Sequence, residues 1–139
     1  MLVLDTNVLS ELTRPKPALR VLEWMRAQPS ASLYTTAVNQ AEMLRGLMLL
    51  PAGKRRTVLE EAIAAMFATD FDGRLLPFGT DAAPVYAGIA SARQRAGRPI
   101  SHVDAQIAAI VVCAGATLAT RNTRDFEGCG AALVDPWTA

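Results

Sequence analysis

Residues 2–9 read Leu2-Val3-Leu4-Asp5-Thr6-Asn7-Val8-Leu9, and this stretch sets the fold class. A three-residue apolar run that stops at an acid fits a short strand buried on both faces, as in a parallel sheet. Outward from it, the elements alternate. Helical periodicity covers residues 17–28, where Val21, Leu22, Trp24 and Met25 cluster on one face, and Pro29-Ser30 ends it. Residues 32–35 read as a second strand, after which Thr36 caps a helix through an apolar stripe of Ala37, Ala41, Leu44 and Met48. Pro51-Ala52-Gly53 breaks the chain before a helix carrying Val58, Leu59, Ile63, Met66 and Phe67. Residues 74–78 form a weaker third strand, and Pro77 assigns it to a strand end or a sheet edge. Thr80 is placed as the cap of the next helix, with Asp81 in its first turn and Gly97 just past its end. Ser101 opens another helix that ends near Gly115; residues 116–120 and 132–134 supply the last two strands. Such βα alternation predicts an α/β fold, a largely parallel central sheet of about five strands flanked by helices.

Length and composition agree with one compact unit, residues 1–139. Hydrophobic residues make up 51% and charged residues 19%, enough to fill a core and inconsistent with intrinsic disorder. Fourteen basic residues oppose thirteen acidic ones, so the net charge of +1 creates no strong overall field. Two Cys and one His leave no disulfide framework, zinc knuckle or His-cluster metal site. Cys113 reads as a core thiol, Cys129 as a loop thiol, and His102 as a surface residue or a support near Asp104. No apolar run reaches the ~20 residues needed to span a bilayer. The opening Met1-Leu2-Val3-Leu4-Asp5 lacks the basic start of a signal peptide. The expectation is a reducing, cytoplasmic setting.

In open α/β sheets, ligands bind outside the carboxyl ends of the strands. Asp5 follows the first strand, and Glu42 lies in the helix after the second. Asp104 sits in the first turn of the helix opening at Ser101, and Asp125 comes shortly after the fourth strand. Each has a plain structural reading. Asp5 can cap the next helix, Asp104 can complete a Ser-x-x-acid capping arrangement, Glu42 can pair with Arg45, and Asp125 can cap a turn before Phe126. Taken together, they fall where the sheet rule places a site. Carboxylates a few ångströms apart repel by about 4 kcal/mol per pair at an effective dielectric near 20. They coexist only with a cation or a shared proton. An all-oxygen donor set suits Mg²⁺ or Mn²⁺, which clamp phosphodiesters and activate water without a protein nucleophile. Among the basic residues, Arg121 and Arg124 flank the fourth strand end, and Arg98 precedes Ser101. These can line a groove for a nucleic-acid backbone. Arg93 and Arg95 read as ordinary cations at a helix C-terminus.

Leu4-Asp5-Thr6-Asn7-Val8-Leu9-Ser10-Glu11 resembles the opening motif of PIN-domain proteins. Ala41-Glu42 with Gly46, residues 97–101 with Asp104-Ala105, Ala119-Thr120-Arg121-Asn122 with Asp125-Phe126-Glu127-Gly128, and Asp135-Pro136-Trp137 follow in the same order. Together they resemble the VapC-type toxins of bacterial type II toxin–antitoxin modules, in particular the FitB-like branch. The resemblance implies a PIN fold and a metal-dependent endoribonuclease with Asp5 and Asp104 as the principal Mg²⁺ ligands. Glu42 would complete the acidic cluster and orient the attacking water. The fourth acidic place falls to Asp125, or else to Asn122, which stands where many PIN proteins carry an acid. Asn7, Thr120 and Asn122 would support the carboxylates. A homodimer, an RNA substrate and a cognate antitoxin are implied as partners, with DNA contacted only through the antitoxin.

Other enzyme classes fit poorly. A haloacid-dehalogenase-type phosphohydrolase needs a second Asp where this chain has Asn7, and no suitably placed Lys follows the later strands. No P-loop or dinucleotide fingerprint is present. The alternative from a different class is a PIN-fold RNA-binding or antitoxin-complex subunit without catalysis. A missing core carboxylate would favour it, but Asp5, Glu42 and Asp104 are all present.

Overall fold

The apolar opening run forms β1 (Leu2–Leu4) in the computed structural model, which describes residues 1–139. Asp5 ends the strand and caps α1 (Thr6–Leu12), its Oδ1 accepting the Thr6 N–H at 2.8 Å. Two further helix–strand units follow: α2 (Leu19–Arg26) with β2 (Leu33–Thr36), then α3 (Ala37–Met48) and α4 (Lys54–Ala65) with β3 (Leu75–Leu76). The chain next forms α5 (Ala82–Arg95), α6 (His102–Ala114), β4 (Thr117–Ala119) and β5 (Ala132–Val134). All strand pairs are parallel and the order is β3-β2-β1-β4-β5. The five-strand parallel sheet between helices is the α/β architecture expected from the alternation, and β3 lies at the edge that Pro77 pointed to.

The two-residue alternation of the strands splits the core between the faces of the sheet. Val3 and Leu118 meet Ile107, Ala108 and Val111 of α6, together with Phe126. Leu4 and Ala119 join the other layer with Val8, Leu9, Val21, Met43 and Phe67. Each fully buried aliphatic side chain contributes roughly 1.5–3 kcal/mol. Helix α6 stops where expected, at Gly115 with φ of 63°, a left-handed conformation that favours glycine. No helix is long and apolar enough to cross a membrane.

Four sequence expectations need correction. The second strand lies one residue later than 32–35. The cap of α5 is Asp81, whose Oδ1 accepts the Ala82 N–H at 2.9 Å, and not Thr80. Cys113, expected in the core, is exposed on α6, whereas Cys129 is in a loop as expected and is buried beside Phe126. The stripe of α3 is also inverted. Ala37, Ala41, Leu44 and Met48 are exposed, and the inward face carries Asn39, Met43 and Leu47. An apolar row alone could not show that Asn39 has a partner to reach beneath the helix.

Candidate functional site

The order β3-β2-β1-β4-β5 reverses direction between β1 and β4, so a crevice opens at their carboxyl ends. Asp5 and Thr120 stand there on neighbouring strands. Asp5 N–H bonds the Ala119 carbonyl at 2.9 Å, and Thr120 Oγ1 donates to Asp5 Oδ2 at 2.7 Å. Asn7 Nδ2 approaches the same oxygen at 3.4 Å and donates to Thr120 Oγ1 at 3.2 Å. The Asn122 backbone N–H bonds Thr120 Oγ1 at 3.1 Å, and the Arg121 N–H bonds Asn7 Oδ1 at 3.2 Å. Thr120, Asn7 and Asn122 thus hold Asp5 in place, Asn122 through its backbone.

Sequence reasoning missed three contributors. Asn39 is fully buried and donates from Nδ2 to Asp5 Oδ1 and to Thr6 Oγ1, both at 3.0 Å. Thr36 caps α3 and fixes the Asn39 amide by donating to its Oδ1 at 2.7 Å. Thr6 in turn donates to Glu42 Oε1 at 2.6 Å. The chain Thr36–Asn39–Thr6–Glu42 therefore orients the Glu42 carboxylate, which bonds Thr6 and not Arg45. One signal was available: Asn39 heads the i, i+4, i+8 row completed by Met43 and Leu47, a polar residue at the start of a buried stripe.

Asp104 arrives from the opposite side, in the first turn of α6, where Ser101 Oγ accepts its N–H at 3.1 Å. Asp104 is half-buried. Burial, followed by the charge of Asp5, pushes its carboxyl up to about 6, Glu42 and Asp125 adding to the rise. The Asp5 carboxyl is raised by burial against the lowering effect of its hydrogen bonds, and Asp125 contributes here too. Asp125 is exposed on a 3₁₀ turn, Thr123–Phe126, so its charge reaches both acids from the rim. The four acids predicted from the sequence thus lie at one end of the sheet.

No cation neutralises them. The two ion pairs of the chain are Glu11–Arg14 and Arg98–Glu127, and neither includes one of these acids. Carboxylate oxygens with uncompensated charge are the donor chemistry of a hard divalent ion. No three His, Cys, Asp or Glu side chains stand close enough together in this structure to hold a metal ion.

The basic residues divide. Arg98 pairs with Glu127 at 3.7 Å. Arg93 staples the acidic turn, donating from Nη1 to the Asp125 carbonyl at 2.9 Å and from Nε to the Arg98 carbonyl at 2.7 Å. Arg121 and Arg124 are exposed beside the crevice. His102 is exposed and bonded to Tyr86 Oη through Nδ1, a surface contact.

Residues 2–129 match the PIN domain. The chain belongs to the PIN-domain family. This PIN domain is 41% identical over 137 residues to "VapC ribonuclease Y4jK" of Sinorhizobium fredii, covering 99% of this chain and 98% of that protein. It is 38% identical over 137 residues to "Toxin FitB" of Neisseria gonorrhoeae, with 99% of each covered. The solved structure of FitAB bound to an IR36 DNA fragment contains a chain that superposes with a TM-score of 0.91 at 39% identity, covering 99% of this PIN domain and 96% of that chain.

Proposed function

We propose that the protein is a metal-dependent endoribonuclease and the toxin of a toxin–antitoxin module. The observation that carries this reading is the crevice between β1 and β4, where the charges of Asp5, Glu42 and Asp125 bear on Asp104 and none of the four acids has an ion-pair partner. The likeness to a named VapC ribonuclease and to Toxin FitB supports the substrate class and the biological role.

Asp5 and Asp104 would hold Mg²⁺, or Mn²⁺ in its place, with Glu42 completing the set directly or through water. A bound divalent ion supplies charge stabilisation on the phosphodiester and a more acidic water. The protein's own groups do the positioning. Thr120, Asn39 and Thr6 N–H fix Asp5, so its carboxylate needs little reorganisation when substrate arrives. Glu42, oriented by Thr6, offers its other oxygen to a water entering the crevice. Arg121 and Arg124 would take the phosphates on either side of the cut. FitAB in complex with DNA supports a partner that carries the DNA contact. The exposed Leu44, Met48, Leu49 and Val58 give such a partner apolar surface to cover. A homodimer in the cytoplasm is part of the same reading.

The test is incubation of the purified protein, free of antitoxin, with a broad pool of structured RNAs and Mg²⁺ or Mn²⁺, beside Asp104→Asn. Expected is cleavage that needs the metal and disappears in the folded variant. Equal cleavage by both proteins would place the active centre elsewhere. No cleavage of any RNA would favour a binding subunit.

A second expectation concerns stability. Because the folded Asp104 carboxyl lies above its ordinary value, the folded state holds the proton more tightly than the unfolded chain. The stability from that proton is full below about pH 4 and is lost as pH rises through about 6. The melting temperature of metal-free protein is expected to fall across that window. Mg²⁺ is expected to restore it above the window and to do little below it. Thermal denaturation with and without the ion reads both.

A further inference from the structure

We propose that Trp137 is a positioning residue that holds the Arg121 guanidinium flat at the rim of the crevice, so that its N–H edges receive a phosphate of the RNA strand. This rests on the ribonuclease reading above and goes beyond it, since Trp137 lies outside residues 2–129 that match the PIN domain. The Arg121 guanidinium carbon lies 4.9 Å from the centroid of the Trp137 ring, a cation–π stack. The topology brings the two together. β4 and β5 are parallel neighbours, with Ala119 opposite Val134 and the Thr120 N–H bonded to the Val134 carbonyl at 2.9 Å. Arg121 and Trp137 therefore leave the sheet side by side at the end where the acids collect.

Both partners are anchored independently of each other. The Trp137 ring packs against the core layer that contains Leu4 and Val8. The Trp137 backbone N–H donates to Asp135 Oδ1 at 2.8 Å, and Arg20 Nη2 from α2 grips the Thr138 carbonyl at 3.0 Å. Arg121 is tied to the site through its own N–H, which bonds Asn7 Oδ1 at 3.2 Å, and Asn7 reaches Asp5 and Thr120. Its guanidinium is exposed and takes part in neither ion pair of the chain. Stacking occupies the flat face of a guanidinium and leaves the planar N–H fork free, which is the part that binds phosphate oxygens in pairs. A flexible arginine loses rotamer freedom when it grips a phosphate; one already stacked loses less. Of the arginines near the crevice, Arg98 is paired with Glu127, Arg93 is spent on backbone carbonyls, and Arg124 has no aromatic ring against it. Arg121 is the one held in place with its donors free.

The experiment compares steady-state cleavage of an RNA that the wild type cuts, in Mg²⁺, by wild type, Trp137→Phe, Trp137→Leu, Arg121→Gln and the Trp137→Leu/Arg121→Gln double variant. Thermal denaturation establishes the fold of each. Trp137→Leu is expected to raise KM about fivefold with kcat nearly unchanged, and Trp137→Phe, which keeps a π face, to recover most of that loss. The double variant is expected to match Arg121→Gln alone, because Trp137 acts only through Arg121. An unchanged KM in Trp137→Leu, or losses that add in the double variant, would overturn the proposal and leave the nuclease reading intact. A wild type that cuts no RNA would overturn the nuclease reading and this one with it.

Discussion

Asp5→Asn is expected to lower RNA cleavage by about 10²- to 10³-fold, the scale of losing one preorganised charged group at a reacting centre. Its fold is expected to survive. An Asn at position 5 keeps the side-chain oxygen that caps α1 through the Thr6 N–H. Removal of the charge also relieves the burial that raises the Asp5 carboxyl. The melting temperature of the metal-free variant is therefore expected to stay close to that of the wild type near neutral pH, removal of the buried charge offsetting loss of the bond from the Thr120 hydroxyl. Asp125→Asn serves as the comparison. Asp125 is exposed and acts on the other acids from the rim, so its loss is expected to cost only about tenfold, the scale of an outer partner of a metal site. Parallel activity assays and melting curves on the two variants separate chemistry from folding. Equal losses in both variants would refute the ranking.

The second large effect lies beneath the site, where only one amide atom need change. Asn39 is fully buried and donates two hydrogen bonds from Nδ2, one to the carboxylate of Asp5. Asn39→Asp removes both donors and sets a second buried carboxylate against the first. Leaving a buried charge uncompensated costs on the order of 3–5 kcal/mol. The sign with pH follows from the new group's raised folded-state value. Stability is expected to be largely retained in acid, where the two carboxylates share a proton, and lost as pH rises toward neutrality. Urea denaturation at an acidic and a neutral pH measures the difference, and equal midpoints would show that Asn39 does not bear on Asp5 as described.

These two residues also mark what the sequence discloses and what it withholds. Asp5 was legible because a strand, its abrupt end and the carboxyl-end rule are all local or topological facts. Asp104 was legible because Ser101 announces a helix start three residues before it, whereas Glu42 taken alone read as a partner of Arg45 and stood out only jointly with the other acids and through the family resemblance. Asn39 was not legible. Its importance depends on which face of α3 turns inward, and the apolar stripe through Leu44 and Met48 pointed the wrong way. The Asn39–Met43–Leu47 row competes with that stripe within α3, and the packing of Met43 and Leu47 with Leu4, Val8 and Leu9 decides between them. Thr6 and Thr36 escaped for a related reason: a threonine looks alike whether its hydroxyl meets water or a carboxylate. The misplaced Cys113 is a milder case, since α6 is apolar nearly all round and its outer position at Cys113 resembles its inner ones.

The crevice lies between β1 and β4, strands that pair with each other yet stand at opposite ends of the chain. The bond from Thr120 to Asp5 spans 115 residues in sequence. A contact of such separation closes a long loop and forms only after much of the chain has been ordered. Until β4 docks, Asp5 has neither the Thr120 hydroxyl nor the neighbouring backbone that holds it, and the acids have no common place to meet. A chain still emerging from the ribosome therefore carries every carboxylate of the first half but no assembled centre. For a protein that would attack the RNA of its own cell, a site completed late in synthesis delays activity until the finished surface is ready for a partner to cover.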